Sequence, residues 1–202
     1  EITIPWEPDL MEKWMKEFYA KWMSIPYKKD RREYKEHPEN FGTSMLGIDE
    51  EEFDHLNQTL DTPVSKNDFL AGKVCIVYRN GVELADKDLI GKTVTCTLYR
   101  NLKKSKSFTV AGATDDSYYT ALLGYPPTLI VSDQAVKAFD AKAFILKTGI
   151  RYKKEYDRRT EKEILAILKK DANTRDFSWE SKLEEADEMR KAQGNMPQIG
   201  MG

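Results

Sequence analysis

The sequence predicts an α+β fold: a mixed β-sheet with helices packed mainly on one side and helical extensions at the N- and C-terminal ends. Three observations carry this. Between Gly72 and Ser132 short β-branched runs alternate with Gly, Asn and Pro, the punctuation of sheet strands. On both sides of that run the apolar residues recur at helical spacing. The composition, 40% hydrophobic and 33% charged over 202 residues, is that of a chain able to build a core.

Taken in order, the first helix opens at Asp9 behind Pro8 and ends before Pro26. Leu10, Met11, Trp14, Met15, Phe18, Tyr19, Trp22 and Met23 form its apolar stripe. Such a stripe packs on the domain, lies on a membrane surface or holds a partner helix. Residues 28–40 mix both charge signs and read as a solvated linker. Thr43 to Ile48 reads as a short strand. Asp49 with Glu52 approximates a capping box for a helix that puts Phe53, Leu56 and Leu60 on one face, before Thr62-Pro63 ends it.

In the sheet region, Val74 to Tyr78 is apolar without alternation, as in a strand covered on both faces. A turn follows at Asn80-Gly81, and the strand signal resumes at Leu89-Ile90-Gly91-Lys92-Thr93-Val94. Thr93 to Tyr99 alternates, with Val94, Cys96 and Leu98 inward. It pairs with Phe108 to Ala113 as a hairpin across a polar loop from Arg100 to Ser107, whose tip holds Lys103, Lys104 and Lys106. Ser132 caps a short helix from Asp133 to Phe139. Lys142 to Lys147 reads as a strand, and Thr160 with Glu163 as a capping box for the next helix. A short strand near Phe177 and a highly charged helix from Trp179 to Gln193, with Gly194 as its cap, complete the order.

The search for chemistry is mostly negative. Lys+Arg 32 against Asp+Glu 34 gives a net charge of -2, so no overall field recruits nucleic acid. Cys75 and Cys96 are too few for a disulfide scaffold. They read as buried thiols, with a cross-strand disulfide as the alternative. Glu51 and His55 lie four apart on one helix face, half of a metal site with nothing to complete it. There is no phosphate loop, no dinucleotide fingerprint and no nucleophile–base pair. The expectation is no catalytic residue, no cofactor and no metal. Asp115-Asp116 beside Ser117 reads as a turn.

The stretch from Ser117 to Pro127 concentrates Tyr118, Tyr119, Leu122, Leu123 and Tyr125 in a connection. It folds under as a cover for the sheet, or it displays an aromatic contact patch. Tyr118, Tyr119, Leu122 and Tyr125 are the candidate partner-binding residues.

Ala71-Gly72-Lys73-Val74, Leu89-Ile90-Gly91-Lys92-Thr93-Val94, Phe108-Thr109-Val110-Ala111-Gly112-Ala113 and Leu129-Ile130-Val131-Ser132, in this order, resemble the extracytoplasmic domain of MacB/FtsX-type ABC transporter permeases. Gly47-Ile48-Asp49 before a helix fits as well, as does Lys142 to Leu146 before a capped helix. The resemblance covers roughly residues 43–170. The charged linker and the tyrosine-rich stretch have no counterpart in it.

The resemblance implies a non-catalytic domain between two transmembrane helices, on the extracytoplasmic side of the cell membrane, coupling ATP-driven motion to a substrate or partner. It implies a permease dimer partner and a cytoplasmic ATPase subunit, with a peptide, lipoprotein or cell-wall-associated partner outside. The domains then read as a membrane-proximal helix and linker at 1–40, the core domain at 41–178, and a membrane-proximal helix and tail at 179–202. No apolar run approaches the roughly 18 residues of a span, and the chain opens at Glu1 rather than Met, so it reads as a piece of a longer protein. The alternative is a free secreted or surface-attached binding or adhesion module, and a small hydrolase ranks behind both.

Overall fold

The protein is described from a computed structural model. It covers residues 2–3, 13, 16–17, 32–33, 36–37, 42–81, 84–121, 127–150, 157–170, 179 and 181–194. The chain divides into two compact units, Glu1–Phe144 and Ile145–Gly202. The division falls inside the stretch that the sequence reading treats as one core domain.

The first unit is an α+β fold around a mixed seven-stranded sheet. Its strands are β1 (Ile2–Thr3), β2 (Gly42–Thr43), β3 (Met45–Ile48), β4 (Val74–Tyr78), β5 (Thr93–Leu98), β6 (Asn101–Thr114) and β7 (Thr128–Ser132). They lie in the order β2-β1-β5-β6-β4-β7-β3. The pairs β4/β6 and β3/β7 are parallel, and the other pairs are antiparallel. β1 and β2 are two-residue pieces at one margin.

Strand alternation divides the core in two. Cys75 and Val77 of β4, Leu129 and Val131 of β7, and Val94, Cys96 and Leu98 of β5 face one cluster. Ile76 and Tyr78 of β4 and Ile130 of β7 face the other. β4 is therefore covered on both faces, as its unbroken apolar run requires.

Helices α1 (Glu50–Thr59) and α2 (Lys66–Leu70) close the second cluster with Phe53, Leu56 and Phe69. The rings of Phe53 and Phe69 stack 4.3 Å apart. Asp49 caps α1, its side chain accepting from the Glu52 N–H at 2.9 Å, and Glu50, Glu51 and Glu52 complement the positive end of the helix dipole. Asn57 bonds both the N–H and the C=O of Val64, fixing the connection to α2. The shorter α3 (Asp86–Leu89) and α4 (Asp133–Phe139) close the first cluster with Leu89, Ala135 and Phe139. Ser132 caps α4 by accepting from the Ala135 N–H, as its sequence position predicts.

Several sequence readings are corrected. Asp86 to Leu89 is helical, so β5 starts only at Thr93. The expected strand from Thr43 to Ile48 is broken at Ser44 into β2 and β3. The polar stretch 101–107 is not a loop: it is the first half of β6, and the chain reverses at Tyr99-Arg100. Its lysines alternate with serines, and pairing with β5 supplies the hydrogen bonds that its polar side chains do not predict. Lys142 to Lys147 is not a strand. Lys142 sits in a turn closed on Asp140, and residues 143–150 carry no regular structure. Phe144 and Ile145 are 74% and 83% exposed, because strand propensity is realised only beside another strand. In the linker, Arg32, Glu33 and Glu36 are helical, held by an Arg32–Glu36 pair at 2.9 Å.

The second unit contains α5 (Arg158–Lys170) and α6 (Lys182–Gly194), joined by an Arg158–Asp187 ion pair. The cap of α5 is Asp157 rather than Thr160. Its carboxylate accepts from the Thr160 N–H at 2.8 Å and from the Thr160 hydroxyl at 2.7 Å. Of the N-terminal helix, Lys13, Lys16 and Glu17 are described and helical. The expected strand near Phe177 lies outside the described residues.

Candidate functional site

The tyrosine-rich connection leaves the carboxyl end of β6, where β4 also ends. Two ion pairs organise this end of the sheet. Arg79, directly after β4, pairs with Asp115 after β6 at 2.8 Å and with Asp86 at the start of α3. Arg79 thus ties two strand ends and a helix start into one corner. Nothing in the sequence marks it, since its partners are 7 and 36 residues away.

Beyond Asp115 the chain makes a 3-10 turn, Ser117–Tyr119. Asp116 caps it, accepting from the Tyr118 N–H at 2.9 Å, and its own N–H donates to the Thr114 hydroxyl at 3.2 Å. This is the turn that Asp115-Asp116 predicts. The Thr120 hydroxyl lies 3.3 Å from the Tyr78 phenol and 2.7 Å from the Ser117 carbonyl, closing the turn on the end of β4.

The turn separates the two tyrosines. Tyr119 swings under: its ring is buried in the cluster of Phe53, Leu56 and Phe69, and its hydroxyl donates to Glu52 at 2.6 Å. Burial and that bond to a carboxylate push the phenol well above its ordinary value. Tyr118 lies 46% exposed, edge-on to Tyr119 with ring centroids 5.2 Å apart. Of the candidate partner-binding residues, Tyr118 therefore presents a surface and Tyr119 is part of the core lid. Leu122 and Tyr125, with Leu123, lie outside the described residues. Glu52 holds two roles that its sequence position shows only in part, since it sits in the first turn of α1 and also receives the Tyr119 hydroxyl.

The cysteines are free and buried. They stand on β4 and β5, which β6 separates. Burial pushes the Cys75 thiol far up and the Cys96 thiol up to about 11. The Cys96 Sγ–H donates to the Lys106 carbonyl at 3.2 Å.

Among the described residues no three His, Cys, Asp or Glu side chains gather as a metal site. Glu51 and His55 are both exposed on α1. No helix among the described residues is long and apolar enough to cross a membrane. No family model, curated protein or solved structure matches the chain.

Proposed function

We propose that this chain is an extracytoplasmic domain of a MacB/FtsX-type ABC transporter permease. It is non-catalytic and passes ATP-driven movement of the membrane part to a substrate or partner outside. One observation supports the reading above the others: the four sequence stretches that carry the resemblance come together as neighbouring strands. They fall on or immediately before β5, β6, β4 and β7, which are adjacent in the sheet. Two of their marker residues have physical work there. Gly91 takes a φ of +86° at the turn into β5, and Ser132 closes β7 by capping α4.

A sheet whose strands β4 and β7 are buried suits the transmission of movement, because close-packed cores deform little under load. The Arg79 corner adds stiffness at one end of it.

The test uses the full-length gene product in its own cells. With Lys103→Cys at an exposed strand position, a membrane-impermeant maleimide should label intact cells, and the protein should stay with the membrane after alkaline extraction. Cys75 and Cys96 are buried, so they add no background. Labelling only after permeabilisation overturns the reading. Release into the medium without a membrane anchor supports the secreted binding module instead.

A further inference from the structure

We propose that the first half of β6 is a docking edge for an extended acidic segment of another protein, which adds to the sheet as a strand. β6 is fourteen residues long, but its two neighbours cover different parts of it. β5 pairs along it from Asn101 to Thr109, whereas β4 pairs only from Thr109 onward. Before Val74 the chain turns away: the Lys73 N–H goes to the Asp68 carbonyl, and the Gly72 N–H to Phe69. On the β4 side, Ser105 and Ser107 meet no strand among the described residues.

The direction of the backbone groups follows from the bonds around them. The Val110 N–H and C=O both go to the β5 side, bonding Lys92 and Gly91, while the Thr109 N–H goes to Lys73 on the β4 side. Successive residues alternate, and the register is regular from Thr109 back to Ser105. The N–H and C=O groups of Ser105 and Ser107 therefore point away from β5, to the side where no strand among the described residues pairs with them. Both residues are exposed. An added strand would find two donors and two acceptors, the arrangement used in β-strand addition.

Charge selects the occupant. Lys92, Arg100, Lys103, Lys104 and Lys106 lie between residues 91 and 114, and that span contains no Asp or Glu, although the whole chain carries -2. Lys103 is exposed. Lys104 lies over the Phe139 ring and Lys106 over the Phe108 ring, each within 6 Å, so their stems are held while their charges stay at the surface. A row of lysines on an edge rejects a second copy of the same edge and accepts a strand of opposite charge. The inference does not depend on the permease reading, since the edge exists wherever the chain is located.

The experiment titrates the protein against a fluorescein-labelled peptide of alternating valine and glutamate, following anisotropy and amide hydrogen exchange. Binding is expected, with slowed exchange at Ser105 and Ser107. The double variant Lys103→Glu, Lys104→Glu should weaken it about tenfold, the sum of two reversed cross-strand charge pairs. Ser105→Pro removes the edge donor without touching the β5 pairing, and a peptide N-methylated at alternate amides tests the same bond on an unaltered protein; both should lose binding. Equal binding of a valine–lysine peptide, indifference to N-methylation, or no anisotropy change overturns the proposal. So does a dimer of the chain that Ser105→Pro abolishes, which would make the edge a self-pairing surface.

Discussion

Strand β4 and the first half of β6 belong to one sheet and meet opposite fates. β4 is buried on both faces by two separate clusters, whereas residues 101–105 and Ser107 are exposed. The difference is written in side-chain type. Val74-Cys75-Ile76-Val77-Tyr78 can only be satisfied by cover, so α1 and α2 close over one side of it and α4 packs on the other. Lys103-Lys104-Ser105-Lys106-Ser107 needs water, and takes strand geometry only because β5 lends it a ladder. The same sheet thus contains a frame and a free margin. Function attached to the margin can change without unfolding the frame.

The largest test of this contrast removes cover from β4. Phe69 is fully buried and stacked on Phe53. Phe69→Ala should cost about 3–5 kcal/mol, the range for losing a buried aromatic ring and leaving a cavity. Urea unfolding followed by tryptophan fluorescence would measure it. A loss below about 1 kcal/mol, small for any buried large-to-small change, would mean that α2 is not part of the frame.

The two tyrosines stand at the other end of β6, beyond the carboxyl ends of β4 and β6. Tyr119→Phe keeps the buried ring and deletes the hydroxyl bond to Glu52, so a loss of about 1.5 kcal/mol is expected, the usual worth of a hydrogen bond to a charged group. Tyr118→Ala should change the free energy of unfolding by less than about 0.5 kcal/mol, as surface changes do. If the two variants cost the same, the turn does not separate core from surface as its geometry indicates. Loss of activity in the full-length protein carrying Tyr118→Ala, with stability kept, would assign that ring to a partner.

What was legible in the sequence follows the same division. Where the local signal and the tertiary demand agree, the element is found: β4 from its apolar run, α1 from Asp49, α4 from Ser132. Where the partner strand decides, local chemistry misleads. The lysine–serine stretch of β6 looks like a loop and is a strand; Ala143-Phe144-Ile145-Leu146 looks like a strand and pairs with no strand among the described residues. Ambiguity between equivalent caps explains the shift from Thr160 to Asp157, since both residues can accept a backbone N–H. At the candidate site the tyrosines are conspicuous, but which of them is buried depends on a single 3-10 turn. Arg79 is invisible in the sequence because its meaning lies in distant carboxylates.

A small, pH-dependent effect lies at the turn of the margin itself, where Arg100 between β5 and β6 pairs with Asp140 at the end of α4. The Arg100 hydrogen bond holds the Asp140 carboxyl below its ordinary value, and the Lys142 N–H adds to this. A carboxyl whose pKa is lowered by folding contributes stability above its unfolded value, near 3.9, and loses that contribution as pH falls through the folded one. Arg100 is half exposed, which keeps the pair in the range of surface ion pairs, below about 1 kcal/mol. Asp140→Asn should therefore be slightly less stable than the parent at pH 7 and in low salt, and the gap should close in acid and in molar salt. Chemical unfolding across pH would follow it. A gap that persists in acid would assign the role of Asp140 to its turn with Lys142 rather than to charge, leaving the tip of the margin unattached to α4 by this pair.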